Sequence, residues 1–208
     1  MKTRLSALAV SVLAASVALT ACGDPDQDTE DPANDPAPQN EQAETANGDF
    51  NDADVEYAAG MIVHHEQAVE MSDILLQADD ADPEVSALAE DIRAAQQPEI
   101  EQMESWLEAW GHEADNEGDH DDHGGMTGSG GHDGMMSEED LADLESAEGD
   151  DASRLFLDQM IIHHEGAVTM AEDHLEAGQN PEALELSENV ISDQNAEIEQ
   201  MEELRDSL

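Results

Sequence analysis

The chain has 208 residues, enough for one folded domain with terminal appendages. It is extremely acidic, because 54 Asp and Glu residues outnumber 5 Lys and Arg residues and give a formal net charge of −49 at pH 7. This charge excludes nucleic acid and anionic membrane surfaces as electrostatic partners, and it attracts cations in general. We expect the fold to be most stable where salt screens the repulsion between carboxylates.

The first 21 residues are typical of a bacterial lipoprotein signal peptide. Lys2 and Arg4 precede the apolar run Leu5–Leu19, and small residues follow it up to Cys22. Cleavage before Cys22 would leave it as the lipid-bearing first residue of the mature protein. We therefore expect an extracytoplasmic protein that is lipid-anchored to the bacterial cell membrane through Cys22. Because Cys22 is the only cysteine, disulfides within the chain and thiolate metal clusters are excluded.

Residues 22–50 are predicted to form an acidic, disordered tether. They mix Asp, Glu, Pro, Asn and Gln, and they hold almost no large apolar side chain before Phe50. Such a composition cannot bury a core. The folded domain is therefore expected at 51–208.

The first half of this domain predicts two long helices, because its apolar residues recur every three or four positions. The first helix spans about 52–77. The second begins at Asp82-Pro83, an N-cap followed by proline at the first helical position. It ends at Gly111, and Pro98 is expected to kink it.

The second half predicts a short helix after Ser137, followed by two more long helices. The third long helix spans about 152–176 and is predicted to end near Gly178. The fourth begins after the N-cap pair Asn180-Pro181 and runs almost to Leu208.

The domain contains an internal duplication. Met61-Ile-Val-His-His-Glu-Gln-Ala-Val-Glu-Met71 is a near copy of Met160-Ile-Ile-His-His-Glu-Gly-Ala-Val-Thr-Met170, and Glu-Ile-Glu-Gln-Met also occurs twice. The duplicated unit is a helical hairpin, roughly 55–110 and 153–208. A single hairpin cannot cover its own apolar stripe, whereas two can cover each other. The sequence therefore predicts an all-α fold, a four-helix bundle made of two duplicated helical hairpins.

The duplicated motif brings imidazole and thioether groups together at helical spacing. On a helical wheel, His65 faces the bundle centre with Met61 one turn back, and His64 falls on the flank. Neutral imidazole and soft thioether together suit Cu(I), and imidazole alone also holds Cu(II). The candidate metal ligands are the histidines and methionines of both copies, with one methionine from each partner helix: Met61, His64, His65, Met71, Met103, Met160, His163, His164, Met170 and Met201.

Other interpretations of these residues remain open. A methionine at a core position usually fills space, and an inward histidine is usually hydrogen-bonded. Glu66 and Glu165, which follow the paired histidines, are interpreted as ligands, as carboxylates that orient a histidine, or as surface groups.

The segment 111–136 between the hairpins is rich in Gly and Asp and too polar to fold alone. It carries further imidazole and thioether groups, which predicts low-affinity metal capture. The alternative is an acidic spacer with incidental histidines. These groups are His112, His120, His123, Met126, His132, Met135 and Met136.

Two enzyme signatures are absent from the sequence. A zinc-protease helix needs His-Glu-x-x-His, but valine stands at 69 and 168 where the second histidine would be. A carboxylate-bridged di-iron bundle needs Glu-x-x-His, and no acidic residue stands three positions before the paired histidines.

These motifs resemble a family of secreted bacterial proteins, the domain of unknown function 305. The resemblance rests on both histidine motifs, on Gly134-Met-Met-Ser-Glu-Glu-Asp-Leu141 and on the two Glu-Ile-Glu-Gln-Met segments, and it covers about 50–208. It implies a ferritin-like four-helix bundle outside the cytoplasm, and copper binding and tolerance in some members. Matched onto this chain, it adds Met135 and Met136 to the ligands above.

The sequence therefore predicts an extracytoplasmic protein that sequesters Cu(I) or Cu(II) or hands it on, with metal ions as its main partners. A copper-handling protein or a second copy of the chain is the expected protein partner. Two alternatives remain. One is a ferritin-like metal-dependent oxidase that uses the same histidines. The other is an interaction module of the cell envelope whose histidines are structural.

Overall fold

The computed structural model describes residues 48–112 and 134–208. The expected signal peptide with Cys22, most of the tether, and four of the ligand candidates between the hairpins (His120, His123, Met126 and His132) lie outside the described residues. Within the described ranges every regular element is a helix. These are α1 Asp52–Gln77, α2 Pro83–Trp110, α3 Glu138–Ser146, α4 Gly149–Ala177 and α5 Pro181–Ser207.

Polar caps fix where the helices begin. The side chain of Asp82 accepts hydrogen bonds from the N–H groups of Glu84 and Val85, and Asn180 caps α5 in the same way. Both caps precede proline, as predicted. Helix α2 ends at Gly111, whose φ of 79° is the left-handed conformation that glycine adopts most easily.

Helix α4 begins three residues before the predicted start. Its first turn is Gly149-Asp150-Asp151, which has no apolar side chain and therefore no periodic signal. Acidic residues nevertheless favour a helix N-terminus, where the backbone N–H groups are partly positive.

The four long helices pack as two hairpins. Helix α1 packs against α2, α4 packs against α5, and the hairpins join through α1 and α4. The short α3 lies against α1 and α4. The N-terminal half of α1 shares an apolar cluster with the C-terminal halves of α2 and α4, so α1 runs antiparallel to both. The predicted all-α bundle of duplicated hairpins is confirmed.

The core consists of two apolar clusters, one toward each end of the bundle. The first contains Tyr57, Met61 and Ile62 of α1 with residues of α2, α4 and α5. The second contains Ala68, Met71 and Leu75 of α1 with residues of α2, α3, α4 and α5. The paired histidines follow the first group along α1 and precede the second, so they lie between the two clusters.

Candidate metal centre

Two histidines from different hairpins meet where α1 packs against α4. The ring centroids of His64 and His163 are 3.8 Å apart, and the ring planes are inclined by 41°. Both side chains are buried. The predicted flank position of His64 is therefore wrong. Helix α1 is buried against α2 on one side and α4 on the other, so its buried arc is wider than a single stripe.

The environment of His163 favours the neutral imidazole. Burial lowers its pKa well below 6.5, and the repulsion expected from His64, His164 and His65 lowers it further. Neither ring nitrogen of His163 makes a well-formed hydrogen bond to the described residues, although the backbone of His64 lies close enough to raise the pKa slightly. A neutral imidazole keeps the lone pair that binds a metal.

The other two histidines each contact a carboxylate on the partner helix of their own hairpin. His65 Nε2 lies 2.7 Å from Glu99 Oε2, and His164 Nε2 lies 2.7 Å from Glu197 Oε2. Both imidazoles are fully buried, and the carboxylates reach the surface, with side-chain exposures of 23% and 21%. The Nδ1 atoms of both rings are buried and have no hydrogen-bond partner among the described residues.

Buried amides lie one turn before these carboxylates. Gln96 precedes Glu99 on α2, and Gln194 precedes Glu197 on α5; both glutamines are buried. Among the described residues, the side-chain Nε2 and Oε1 atoms of Gln96 have no hydrogen-bond partner, and neither does Oε1 of Gln194. Buried polar groups are nearly always hydrogen-bonded. The buried nitrogen and oxygen atoms of these histidines and glutamines that have no hydrogen-bond partner are therefore the observation that most favours a bound ligand.

We call the four paired histidines His64, His65, His163 and His164, with Gln96 and Gln194, the histidine layer. Glu66 and Glu165 are exposed, and the carboxylates that contact His65 and His164 are Glu99 and Glu197 instead. Although Glu66 is exposed as a residue, partial desolvation of its carboxyl group and then repulsion from Glu104 raise its pKa.

The six helix methionines are all buried, three on each side of the histidine layer. Met61, Met103 and Met170 belong to the first apolar cluster. The other three are their counterparts in the repeat, and they belong to the second cluster: Met160, Met201 and Met71. Each cluster thus draws its methionines from both hairpins, which places soft thioethers above and below the imidazoles. The same positions also suit plain packing.

Residues 134–136 form a strap across the line where α1 meets α4. Gly134 lies so close to α4 that an added Cβ would stand 2.6 Å from the Ile162 carbonyl oxygen and 3.0 Å from that of His163. Two hydrogen bonds of 2.9 and 2.7 Å join the backbone of Met136 to the Gln67 side chain. Met135 and Met136 are half-buried here, whereas His112 is exposed at the end of α2.

The predicted ligands do not all converge. Within 48–112 and 134–208, no three histidine, cysteine or carboxylate side chains form a group that could hold a metal ion by themselves. A site in the histidine layer would therefore combine imidazoles with other donors, such as thioethers.

A further buried histidine belongs to a different cluster. His174 Nε2 lies 3.0 Å from Asp54 Oδ1, and His174 Nδ1 lies 2.7 Å from Ser187 Oγ. The backbone N–H groups of Gln179 and Asn180 also donate to the Asp54 carboxylate. This cluster ties α1 to the α4–α5 connection, and it accounts for His174 as a structural residue.

Sequence reasoning missed Glu99, Glu197, Gln96 and Gln194. Glu99 and Glu197 are the first residues of the duplicated Glu-Ile-Glu-Gln-Met segments, so the repeat itself contained a signal. The Asp54–His174 pair, 120 residues apart, had no such signal.

Comparison with known proteins identifies the family. The model of the domain of unknown function DUF305 matches residues 54–205. The chain belongs to the DUF305 family. No protein with a curated description matches it.

Solved structures of similar proteins agree with this membership. A DUF305 protein from Streptomyces coelicolor, described as a candidate secreted protein, is 32% identical with a TM-score of 0.65, and the match covers 73% of this chain and 89% of the other. A DUF305 fragment from Deinococcus radiodurans is 30% identical, with a TM-score of 0.64 and coverages of 76% and 98%. CopM in its Cu(II)-bound form is 31% identical, with a TM-score of 0.60 and coverages of 74% and 96%. CopM is also known in Cu(I)- and silver-bound forms.

Proposed function

We propose that this DUF305 protein binds copper outside the cytoplasm, through the histidine layer and the methionines beside it, and sequesters the ion or hands it on. The observation that carries the proposal is that His65, His163 and His164 are buried close to the junction of the two hairpins and keep ring nitrogen atoms without a hydrogen-bond partner among the described residues. Unpaired buried polar atoms are costly unless a ligand uses them.

The donor set fits copper better than the common alternatives. Imidazole and thioether are neutral and comparatively soft, which favours Cu(I), and imidazole also accepts Cu(II). Mg²⁺ and Ca²⁺ prefer oxygen ligands, and the carboxylates at this level contact histidines instead. Similarity to CopM, which has been crystallised with Cu(I), Cu(II) and silver, supports the same choice of metal.

The location is part of the proposal. The lipoprotein pattern at 1–22 supports an extracytoplasmic protein held to the membrane by a lipid on Cys22. The Streptomyces coelicolor relative is described as a candidate secreted protein. Among the described helices, none combines the length and apolar character needed to cross a bilayer.

Anaerobic titration of the purified chain with Cu(I) in competition with a chromophoric chelator tests the proposal. We expect at least one site that prefers Cu(I) to Zn(II), because thioether favours the softer ion. A variant with His64→Asn and His163→Asn should lose the tightest site and keep its helical circular dichroism.

His174→Asn is the matched control, since it alters a buried histidine outside the histidine layer. It should lower stability without changing the copper bound per folded molecule. If the His64/His163 variant also keeps its copper affinity, the paired histidines are structural and the interaction-module hypothesis is favoured. Steady turnover in the oxidation of Fe(II) or Cu(I) would favour the oxidase.

A further inference from the structure

The two histidine–carboxylate contacts of the histidine layer have the same geometry. In each hairpin, the second histidine of the pair places Nε2 2.7 Å from a glutamate that begins the Glu-Ile-Glu-Gln-Met segment of the partner helix. The contact joins His65 to Glu99 in one hairpin and His164 to Glu197 in the other. Both copies of the duplicated unit therefore keep the histidine and its carboxylate together.

The chemistry of each contact indicates which ring nitrogen carries the proton. An ionised carboxylate only accepts hydrogen bonds, so at 2.7 Å the imidazole must donate through an Nε2–H group. In a neutral imidazole the other nitrogen, Nδ1, then holds the free lone pair. In His65 and His164 that Nδ1 atom is buried and has no partner among the described residues.

We propose that Glu99 and Glu197 are positioning residues that hold His65 and His164 in the Nε2–H tautomer, so that both Nδ1 atoms are presented to a soft metal ion. Carboxylates that accept from the far nitrogen of a metal-binding histidine fix its orientation and raise its basicity. The inference rests on the proposed copper site and deepens it by naming the ligand atoms.

A purely structural role is the alternative, because the same hydrogen bonds also tie α1 to α2 and α4 to α5. The chain offers a matched control for it. Glu101 and Glu199 stand two residues further along the same helices, are duplicated in the same way, and are exposed. Changing them to glutamine alters the charge equally without touching a histidine.

The tautomers can be measured without metal. In the full chain with copper removed, ring ¹⁵N chemical shifts should show His65 and His164 as Nε2–H. In the Glu99→Gln/Glu197→Gln variant an Nδ1–H population should appear, because an amide can donate to Nε2 as well as accept from it. The Glu101→Gln/Glu199→Gln variant should match wild type. Wild-type rings in the Nδ1–H form, or no difference between the two variants, would overturn the assignment.

Copper affinity gives the second readout. The Glu99→Gln/Glu197→Gln variant should bind Cu(I) about 10- to 100-fold more weakly than wild type, with unchanged helicity. An equal loss of Cu(I) affinity in the Glu101→Gln/Glu199→Gln variant would show that the change in net charge causes the effect, and it would overturn the inference. A wild-type chain that binds no Cu(I) contradicts the proposed function itself. If the Glu99→Gln/Glu197→Gln variant binds Cu(I) as tightly as the wild-type chain does, only the role of the two carboxylates is overturned.

Discussion

The centre of the bundle and its two ends differ in how closely the two hairpins match. At the centre His64, His65, Gln96 and Glu99 have identical counterparts in the second hairpin, namely His163, His164, Gln194 and Glu197. At the ends the matching fails, because Asp54, Tyr57, His174 and Ser187 correspond to Ser153, Phe156, Leu75 and Ala89.

The difference reflects what each region requires. At each end the helices are joined by contacts of their own. Any side chain that can accept a hydrogen bond from the local backbone N–H groups can make these contacts. One end uses Asp54 to accept from the N–H of Asn180, and the other uses Ser153 Oγ to accept from the N–H of Asp82. At the centre the two hairpins contribute equivalent residues to the histidine layer. A substitution in one hairpin would therefore leave the matching residue of the other hairpin without its counterpart.

The largest effect should come from the end that carries a buried charge. Asp54→Ala removes the acceptor for His174 and for the N–H groups of Asn51, Gln179 and Asn180. We expect a loss of about 3–5 kcal/mol in the free energy of unfolding, measured by urea denaturation. Ser153→Ala at the opposite end should cost only about 1 kcal/mol. Equal losses at both ends would contradict the contrast drawn between them.

The pH dependence of stability should report the same buried groups. Burial lowers the pKa of His174 despite the nearby Asp54 carboxylate, and burial lowers that of His163. Burial also raises the pKa of Asp54, but hydrogen bonds from Asn180, Asn51, Gln179 and His174 outweigh it, so the net shift is downward. Each folded pKa lies below its unfolded value, so the stabilisation is present above the unfolded pKa and is lost on acidification.

In the copper-free chain, the free energy of unfolding should therefore decrease as the pH falls below about 6.5, and again below about 4. Urea midpoints measured across this range provide the test. His174→Gln should flatten the first decrease without removing it, because His163 still contributes. A first decrease that is unchanged in this variant would show that His174 does not titrate as proposed.

The strap offers a smaller effect at the edge of the centre. Gly134→Ala combines a left-handed φ of 81° with a Cβ only 2.6 Å from the Ile162 carbonyl oxygen. We expect a loss of about 1–3 kcal/mol in thermal or urea unfolding. Gly111→Ala is the control, since its φ of 79° imposes similar strain while its Cβ would meet nothing within 4 Å. The Gly134 variant should be the less stable of the two. The opposite order would mean that residues 134–136 can move away from α4 at little cost in free energy.

The smallest effect is expected beside the histidine layer but outside the core. Val63 and Ile162, next to His64 and His163, are 54% and 51% exposed. Serine at either position should change the free energy of unfolding by less than about 0.5 kcal/mol and leave copper affinity unaltered. Ile62→Ser, one residue away but buried, should destabilise strongly. A clear loss of copper affinity at Val63 or Ile162 would place the binding surface on the outside of the bundle.

The sequence predicted most of the fold because its signals are local or duplicated. Apolar periodicity and the Asp82-Pro83 and Asn180-Pro181 caps gave four long helices close to their observed bounds. The repeat then required two hairpins to cover each other. The repeat did not show which sides of α1 are buried, because the buried sides depend on where α4 crosses α1. For this reason His64 was predicted on the flank of the helix, whereas it is buried.

The candidate site was predicted in composition but not in arrangement. The paired histidines and six methionines were visible in the repeat, and the structure places all of them in the interior. The contacts of Glu99 and Glu197 depend on the register between helices of a hairpin, which periodicity within one helix does not determine. The contact between Asp54 and His174 depends on the packing of α1 against the end of α4.

The central claim is that copper binds at the histidine layer, and anomalous diffraction at the copper edge from crystals of the Cu(I)-loaded chain tests it most directly. The account predicts a copper peak within bonding distance of ring nitrogens of at least two of the paired histidines, including Nδ1 of His65 or His164. Copper found only on surface carboxylates, or only on residues 113–133, with the histidine layer empty, would contradict it.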